Sequence, residues 1–356
     1  MTDGDVAIDS EFAFELRTCR FVERHWPPDR DRDRPVIVAR QLGTGRRRWD
    51  TIVIECDPVG LRERARFGGD RLDSDLLDVV PHAPADWAYY REALPDPGYP
   101  WRYVRESIHR AADRDILEKR RNGRRIEIRR RFRYPDWVDR VIAIENKPDL
   151  DASAARALSD QLEYDVALAL ADEVWLATAA TGESVSPALF EDLPVEAGIL
   201  SVDPETLSAD VAWHARRLAA DEPGTRILER PVGTGGDRSA ARFEYVDPDE
   251  KERTRLEIAE RAYERGWRSF VETMRPDCRY FEPRASDQVL PYCRALNRLP
   301  RASECGGSCV AFEPEPPAWR QRGWPIEGGP GATCRRVLDR RRRAQRPGLE
   351  PDDDGR

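Results

Sequence analysis

Short apolar runs set the pattern of the first two hundred or so residues: "PVIVARQL", "WDTIVIEC", "WVDRVIAIEN" and "EVWLAT". Each is rich in Val and Ile, too short for a buried helix, and closed by charged or turn-forming residues. That combination predicts buried β-strands. A further run, "AGILSV", follows a proline-containing connection and reads the same way.

Two segments carry the other period. "EFAFELRTCRFVERHW", Glu11 to Trp26, and "ASAARALSDQLEYDVALALA" repeat apolar residues at helical intervals, and Ser10 is a candidate N-cap for the first. With residues 58–134 set aside, the predicted order is helix, strand, strand, strand, helix, strand, strand. Alternating elements with near-continuous apolar strands predict an α/β fold, a mixed sheet flanked by helices.

Residues 58–134 break the pattern. Asp57-Pro58 signals a turn, then come short helical segments, "PADWAYYREAL" and "PWRYVRESIHRAADRDILEKR", the latter predicting a helix from Trp101 to Lys119. "NGRRIEIRRRFR" follows, with Asn122-Gly123 as a strong hairpin signal. A helix leading into an arginine-studded hairpin predicts an inserted winged helix-turn-helix. Residues 1–57 with 135–203 then form the core. Residues 204–275 are expected to be a helical linker, with one helix over 205–220 and a long charged one from Pro248 to Met274. Residues 276–335 form a cysteine-rich module, and 336–356 a disordered tail.

Composition sharpens this. Acidic residues outnumber basic ones, 67 to 59, and only three of the cations are lysines: Lys119, Lys147 and Lys251. The acid excess, the arginine habit and the two methionines suit a halophile, whose acidic surface stays hydrated in brine. No apolar run reaches membrane-spanning length and no signal peptide is evident, so a cytoplasmic protein without a membrane partner is expected. Five of the seven cysteines, Cys278, Cys293, Cys305, Cys309 and Cys334, crowd the last part of the chain. In a cytosolic protein such a cluster favours a metal over disulfides.

The rare lysine in "DRVIAIENKPDL" points to chemistry. Glu145 and Lys147 stand two apart at a strand end and are expected on one face. A Mg²⁺ or Mn²⁺ ion can accept the carboxylate, and an ammonium can hold a phosphate or water where a guanidinium would not deprotonate. A second carboxylate is needed. Asp50, at the start of the strand expected to pair with the Glu145 strand, is the candidate, with Asp136 and Asp139 as rivals. On the following helix Gln161 and Tyr164 share a face, and on the first helix Glu11 and Glu15 lie one turn apart.

An acidic residue beginning one strand, Glu-x-Lys ending the next, and a Gln-x-x-Tyr helix resemble the PD-(D/E)XK nuclease superfamily, closest to its RecB-like branch. The resemblance covers Glu11 to about Val202 without the insert. It implies a restriction-endonuclease-like fold and Mg²⁺-dependent cleavage of DNA phosphodiesters, in DNA repair or processing. Asp50 and Glu145 would hold the metal, Lys147 would assist the water or the phosphate, and Gln161 with Glu11 or Glu15 would support them. The chain departs from the pattern in its long Asp50–Glu145 separation and in a Tyr placed three residues after the Gln, not four. It also resembles, as a whole, an uncharacterised haloarchaeal protein family.

The remaining motifs extend the reading. From Lys119 to Arg133 there are nine basic residues and one acid, Glu127. Arg120, Arg121, Arg124, Arg125, Arg129 and Arg131 are the candidate DNA contacts, gripping phosphates from the wing. Cys278, Cys293, Cys305 and Cys309 suit Zn²⁺ or a [4Fe–4S] cluster. Cys334 is a rival ligand, and the resemblance to some RecB-like nucleases adds Cys19 as a cluster ligand; Cys56 reads as core. "GTGRRR" and "GTGGDRS" lack the P-loop lysine, and the four histidines show no ligand spacing. Two other functions stay open, a non-catalytic DNA-binding regulator on the same scaffold and a zinc-stabilised adaptor.

Overall fold

The computed structural model describes residues 11–28, 34–45, 47–180, 185–186, 191–229, 242–270, 274–275, 278–285, 289–301, 303–306, 309–313 and 340. Ser10, Cys334, all of "GTGGDRS" and nearly all of the tail lie outside them.

The apolar runs become a mixed six-stranded sheet. After α1 (Glu11–His25) come β1 (Val36–Gly43) and β2 (Arg48–Cys56); the insert follows, with its own β3 to β5, and then β6 (Val138–Asn146). Helix α6 (Ala152–Leu168), β7 (Glu173–Ala179), β8 (Gly198–Asp203) and β9 (Ser208–Trp213) complete it. The strand order is β1-β2-β6-β7-β8-β9. Pairing is antiparallel through β1, β2 and β6, parallel through β6, β7 and β8, and antiparallel again at β9.

The central strands β2, β6 and β7 are buried on both faces, which is why they are apolar at nearly every position. Val53, Ile142 and Ile144 pack under α1; their neighbours Ile52, Ile54, Val141 and Ala143 pack under α6 and α7 (Pro248–Arg265). Each such Val or Ile side chain contributes roughly 1.5–3 kcal/mol by leaving water. Asp-Pro starts a helix twice. Asp57 and Asp247 accept the third amides of α2 (Pro58–Arg64) and α7, with proline at the first helical position.

The structure corrects three expectations. No helix spans 205–220. Asp203 accepts the amides of Glu205 and Thr206, Leu207 takes φ 57°, and the chain returns as edge strand β9. Ala209 and Val211 then alternate onto the α1 face, so the true period there is two, and the core extends to Trp213. The helix expected over 101–119 stops at Asp113, because Asp115 at φ 58° turns Leu117 into a strand. The hairpin forms one residue later than Asn122-Gly123 suggests. Asn122 pairs with Arg125, and Gly123, at φ 59°, begins the turn.

The insert has its own core of Phe67, Leu76, Val80, Val104, Ile108 and Ile128 among others. Its elements run α3 (Ser74–Leu77), β3 (Ala88–Tyr89), α4 (Tyr90–Ala93), α5 (Trp101–Asp113), β4 (Leu117–Asn122) and β5 (Arg125–Arg130), with sheet order β3-β5-β4. A fully buried Arg64–Glu260 pair ties it to α7. Beyond β9 lie two hairpins, β10 (Gly224–Glu229) with β11 (Arg242–Val246) and β12 (Phe281–Ala285) with β13 (Val289–Cys293). No helix among the described residues is long and apolar enough to cross a membrane.

Candidate functional site

The register of β2 against β6 decides what can meet. Thr51 pairs with Ile144, so Asp50 stands across from Glu145 at the end of the ladder. Both line a cleft of about 880 Å³ whose walls include Glu11, Glu15, Gln41, Lys147 and Asp149. Roughly 90 residues separate the two acids in sequence, and the insert between them loops out without disturbing the pairing.

Backbone geometry aims the first acid. Asp50 Oδ2 accepts the Asn146 amide at 3.0 Å, and Oδ1 accepts Gln41 Nε2 at 3.0 Å. The same Gln41 amide nitrogen donates to Glu15 Oε1 at 3.1 Å. Gln41 holds φ 52°, a costly conformation for a non-glycine residue inside a strand, and the reward is one amide bridging two carboxylates. Glu15 is buried and also grips Arg40, at 2.9 and 3.1 Å. Burial raises its pKa, with Arg40 opposing.

The second acid has a partner that the sequence did not suggest. Arg47, in the tight Gly43–Arg48 connection, donates to Glu145 Oε2 at 2.8 Å and to both oxygens of Asp165 at 2.7–3.0 Å. Burial pushes the Glu145 carboxyl up to about 7, Asp50 adds to the rise, and Arg47 opposes it. Glu145 Oε1 accepts no hydrogen bond among the described residues, and the buried Oδ1 of the next residue, Asn146, has no partner there either.

Lys147 lies just past the strand end. Its ammonium meets Glu11 Oε1 at 2.7 Å, not Glu145, so the two residues do not pair with each other. That hydrogen bond holds the lysine above its ordinary pKa, so it remains a cation and is no general base.

The other candidates divide. Gln161 is half-buried on α6, one turn from Ala157, and is not among the residues lining the cleft. Tyr164 lines a separate depression. Asp139 pairs with Arg34 near the far end of β6 and so is no rival to Asp50; Asp136 precedes that strand and is not in the cleft wall. Cys19 is fully buried with its sulfur 3.3 Å from Thr51 Oγ1, and Cys56 is core.

On the wing, four of the six arginines have acidic partners within the module. Arg120 meets Glu127 and Arg129 meets Glu118, each at 2.7 Å, and both guanidinia stack on Trp87. Arg125 pairs with Glu92 and Arg131 with Asp115. Arg121 and Arg124 are exposed and form no ion pair among the described residues. Such surface pairs contribute only about 0–1 kcal/mol, so a phosphate can displace them.

Cys278, Cys293, Cys305 and Cys309 line one small apolar cavity. Burial pushes the Cys305 thiol up to about 11; the Arg275 amide opposes this, and the other three thiols add to it. Among the described residues no group of three or more His, Cys, Asp or Glu stands at ready metal-holding spacing.

The profile of a family of unknown function (DUF5787) matches residues 37–314. The chain belongs to this family. The match takes in β1, the insert, the Glu145–Lys147 strand end and all four clustered cysteines. No curated protein and no solved structure matches the chain.

Proposed function

We propose that this member of the family is a metal-dependent phosphodiesterase acting on DNA. The observation that carries the reading is Asp50 set across from Glu145 in an open cleft, with the Lys147 ammonium on its wall. The element order of the core is also the one the PD-(D/E)XK resemblance implies, and the insert's order α3-β3-α4-α5-β4-β5 supports a winged helix.

Mg²⁺ commonly binds through one or two carboxylates and keeps several waters, so two acids with free acceptor capacity suit it. Asp50 and Glu145 would hold the ion, which supplies charge neutralisation and an acidified water when bound. Gln41 keeps Asp50 oriented. Lys147, exchanging Glu11 for a phosphate oxygen, stabilises the charge that develops there. The wing and α5 would hold the duplex through phosphates.

A non-catalytic DNA-binding regulator is the second reading, favoured by Arg47 neutralising Glu145. Cleavage of single-stranded, duplex and branched DNA in high salt, with Mg²⁺ or Mn²⁺, separates the two. Cleavage by the wild type and at least a hundredfold loss in Lys147→Ala supports the phosphodiesterase. Binding without cleavage supports the regulator, and equal cleavage by the variant removes the lysine's role.

A further inference from the structure

The cysteine module reaches the acidic cleft. Between Cys293 and Cys305 the chain buries Leu299 in the core beneath α1, yet Arg301 and Ser303 line the same cleft as the carboxylates. The segment is tightly tied. Arg301 O accepts the amides of Glu304 and Cys305 at 3.0 Å each, and Glu304 Oε2 accepts the Arg301 amide at 2.7 Å. Glu304 also binds Arg298 through both oxygens, at 2.6 and 2.9 Å.

That segment ends on a cysteine of the four-thiol cavity. Cys305 is buried, its sulfur accepts the Arg275 amide at 3.4 Å, and Cys278, Cys293 and Cys309 share the cavity wall with it. The cavity is about 10 Å³, close to the room that one water needs. One tetrahedral ion suits four thiols around such a space, provided they draw in from positions that are not yet at metal-holding spacing. Amide-to-sulfur hydrogen bonds of this kind orient a ligating thiolate.

The cleft's charge gives Arg301 a task. Among the described residues six carboxylates line the cleft and two cations do, Lys147 and Arg301. Lys147 is engaged by Glu11, whereas the Arg301 guanidinium forms no hydrogen bond or ion pair among the described residues and feels only the through-space charge of Glu304, which Arg298 already holds. A polyanionic strand entering such a cleft needs a fixed cation, and a planar guanidinium can grip a phosphate through two oxygens.

We propose that Arg301 binds a substrate phosphate in the cleft, and that one Zn²⁺ ion held by Cys278, Cys293, Cys305 and Cys309 keeps it there. The Arg301 role rests on the phosphodiesterase reading; the zinc site does not. Four neighbouring thiolates select a soft divalent ion, and losing it frees Cys305 and with it the turn that presents Arg301.

The full chain, purified under reducing conditions, is tested in two ways. Metal analysis should give one zinc per chain, reduced in Cys309→Ser and unchanged in Arg301→Ala. A folded, metal-free preparation, or an iron charge-transfer band, would overturn the zinc site. Binding of a short single-stranded oligonucleotide, with Ca²⁺ replacing Mg²⁺, should weaken about tenfold in Arg301→Ala and less in Arg301→Lys. Zinc removal should weaken the wild type by the same factor, leave Arg301→Ala unchanged, and speed hydrogen exchange over residues 298–305. Unchanged affinity in Arg301→Ala, or after zinc removal, would overturn the coupling. Absence of oligonucleotide binding in every form would overturn both the phosphodiesterase reading and the Arg301 role, while zinc stoichiometry still decides the site.

Discussion

Arg47 holds two buried carboxylates at once, so Arg47→Ala is an informative perturbation. Glu145 and Asp165 have side chains only 11% and 1% exposed, and the variant leaves both without their cation. Breaking a buried pair from one side costs about 3–5 kcal/mol. Uptake of a proton by Glu145, whose pKa already stands at about 7, limits the loss in acid and leaves it fuller at pH 8. A divalent ion at Asp50 and Glu145 must compete with Arg47 in the wild type but not in the variant. Mg²⁺ at a hundred times its dissociation constant adds about 2.7 kcal/mol to the state that binds it. The variant should therefore lose several kcal/mol without Mg²⁺ and recover about half with it, while the wild type gains little. Urea unfolding at fixed KCl, with and without Mg²⁺, measures this. A variant as stable as the wild type, or equal Mg²⁺ stabilisation of both, would refute the reasoning.

Other outcomes follow from the same contacts. The raised Glu145 pKa means that the folded chain binds a proton more tightly than the unfolded one, so this group's contribution to stability is lost as pH rises from about 4.5 to about 7. Cation binding runs the opposite way: Mn²⁺ affinity should climb through about pH 7 and level off above it, and Glu145→Gln should remove that dependence. Lys251 is fully buried and donates to the Ala219 and Glu222 carbonyls at 3.0 and 2.7 Å; Lys251→Met should cost about 1–3 kcal/mol in urea unfolding. Arg121→Glu with Arg124→Glu should weaken duplex binding at least tenfold by fluorescence anisotropy without loss of stability, and unchanged binding would remove the wing from the DNA surface.

What could be read from the chain and what could not have separate physical causes. Strands buried on both faces announce themselves as Val- and Ile-rich runs, so the core order and the β2–β6 pairing were legible, and with them the meeting of Asp50 and Glu145. The rarity of lysine was informative as well. Lys147 and Lys251 each make contacts suited to a compact ammonium, and Lys119 reaches His109 and Asp113. Arg47 and Asp165 were missed because their meeting depends on a tight hairpin and the rotation of α6, neither of which leaves a periodic trace. "GTGRRR" was weighed only as a nucleotide loop, although a Cβ on Gly43 would collide with the Arg47 carbonyl, which is how the turn brings that arginine back. Strand β9 was read as a helix because Leu207, Val211 and Leu218 happen to fall at helical intervals, while an exposed edge strand needs only alternate half-burial. Arg301 gave no signal, since its place depends on how the cysteine module folds back onto α1.

Asp50 and Glu145 acting as one cation site is the step on which the proposed chemistry depends. Electron paramagnetic resonance of Mn²⁺, titrated at pH 8 into the zinc-loaded chain, measures it without any substrate. One Mn²⁺ per chain is expected, with at least a hundredfold weaker binding in both Asp50→Asn and Glu145→Gln and tighter binding in Arg47→Ala. Full-affinity Mn²⁺ binding that survives both carboxylate substitutions, or no Mn²⁺ site in the folded wild type, would contradict it.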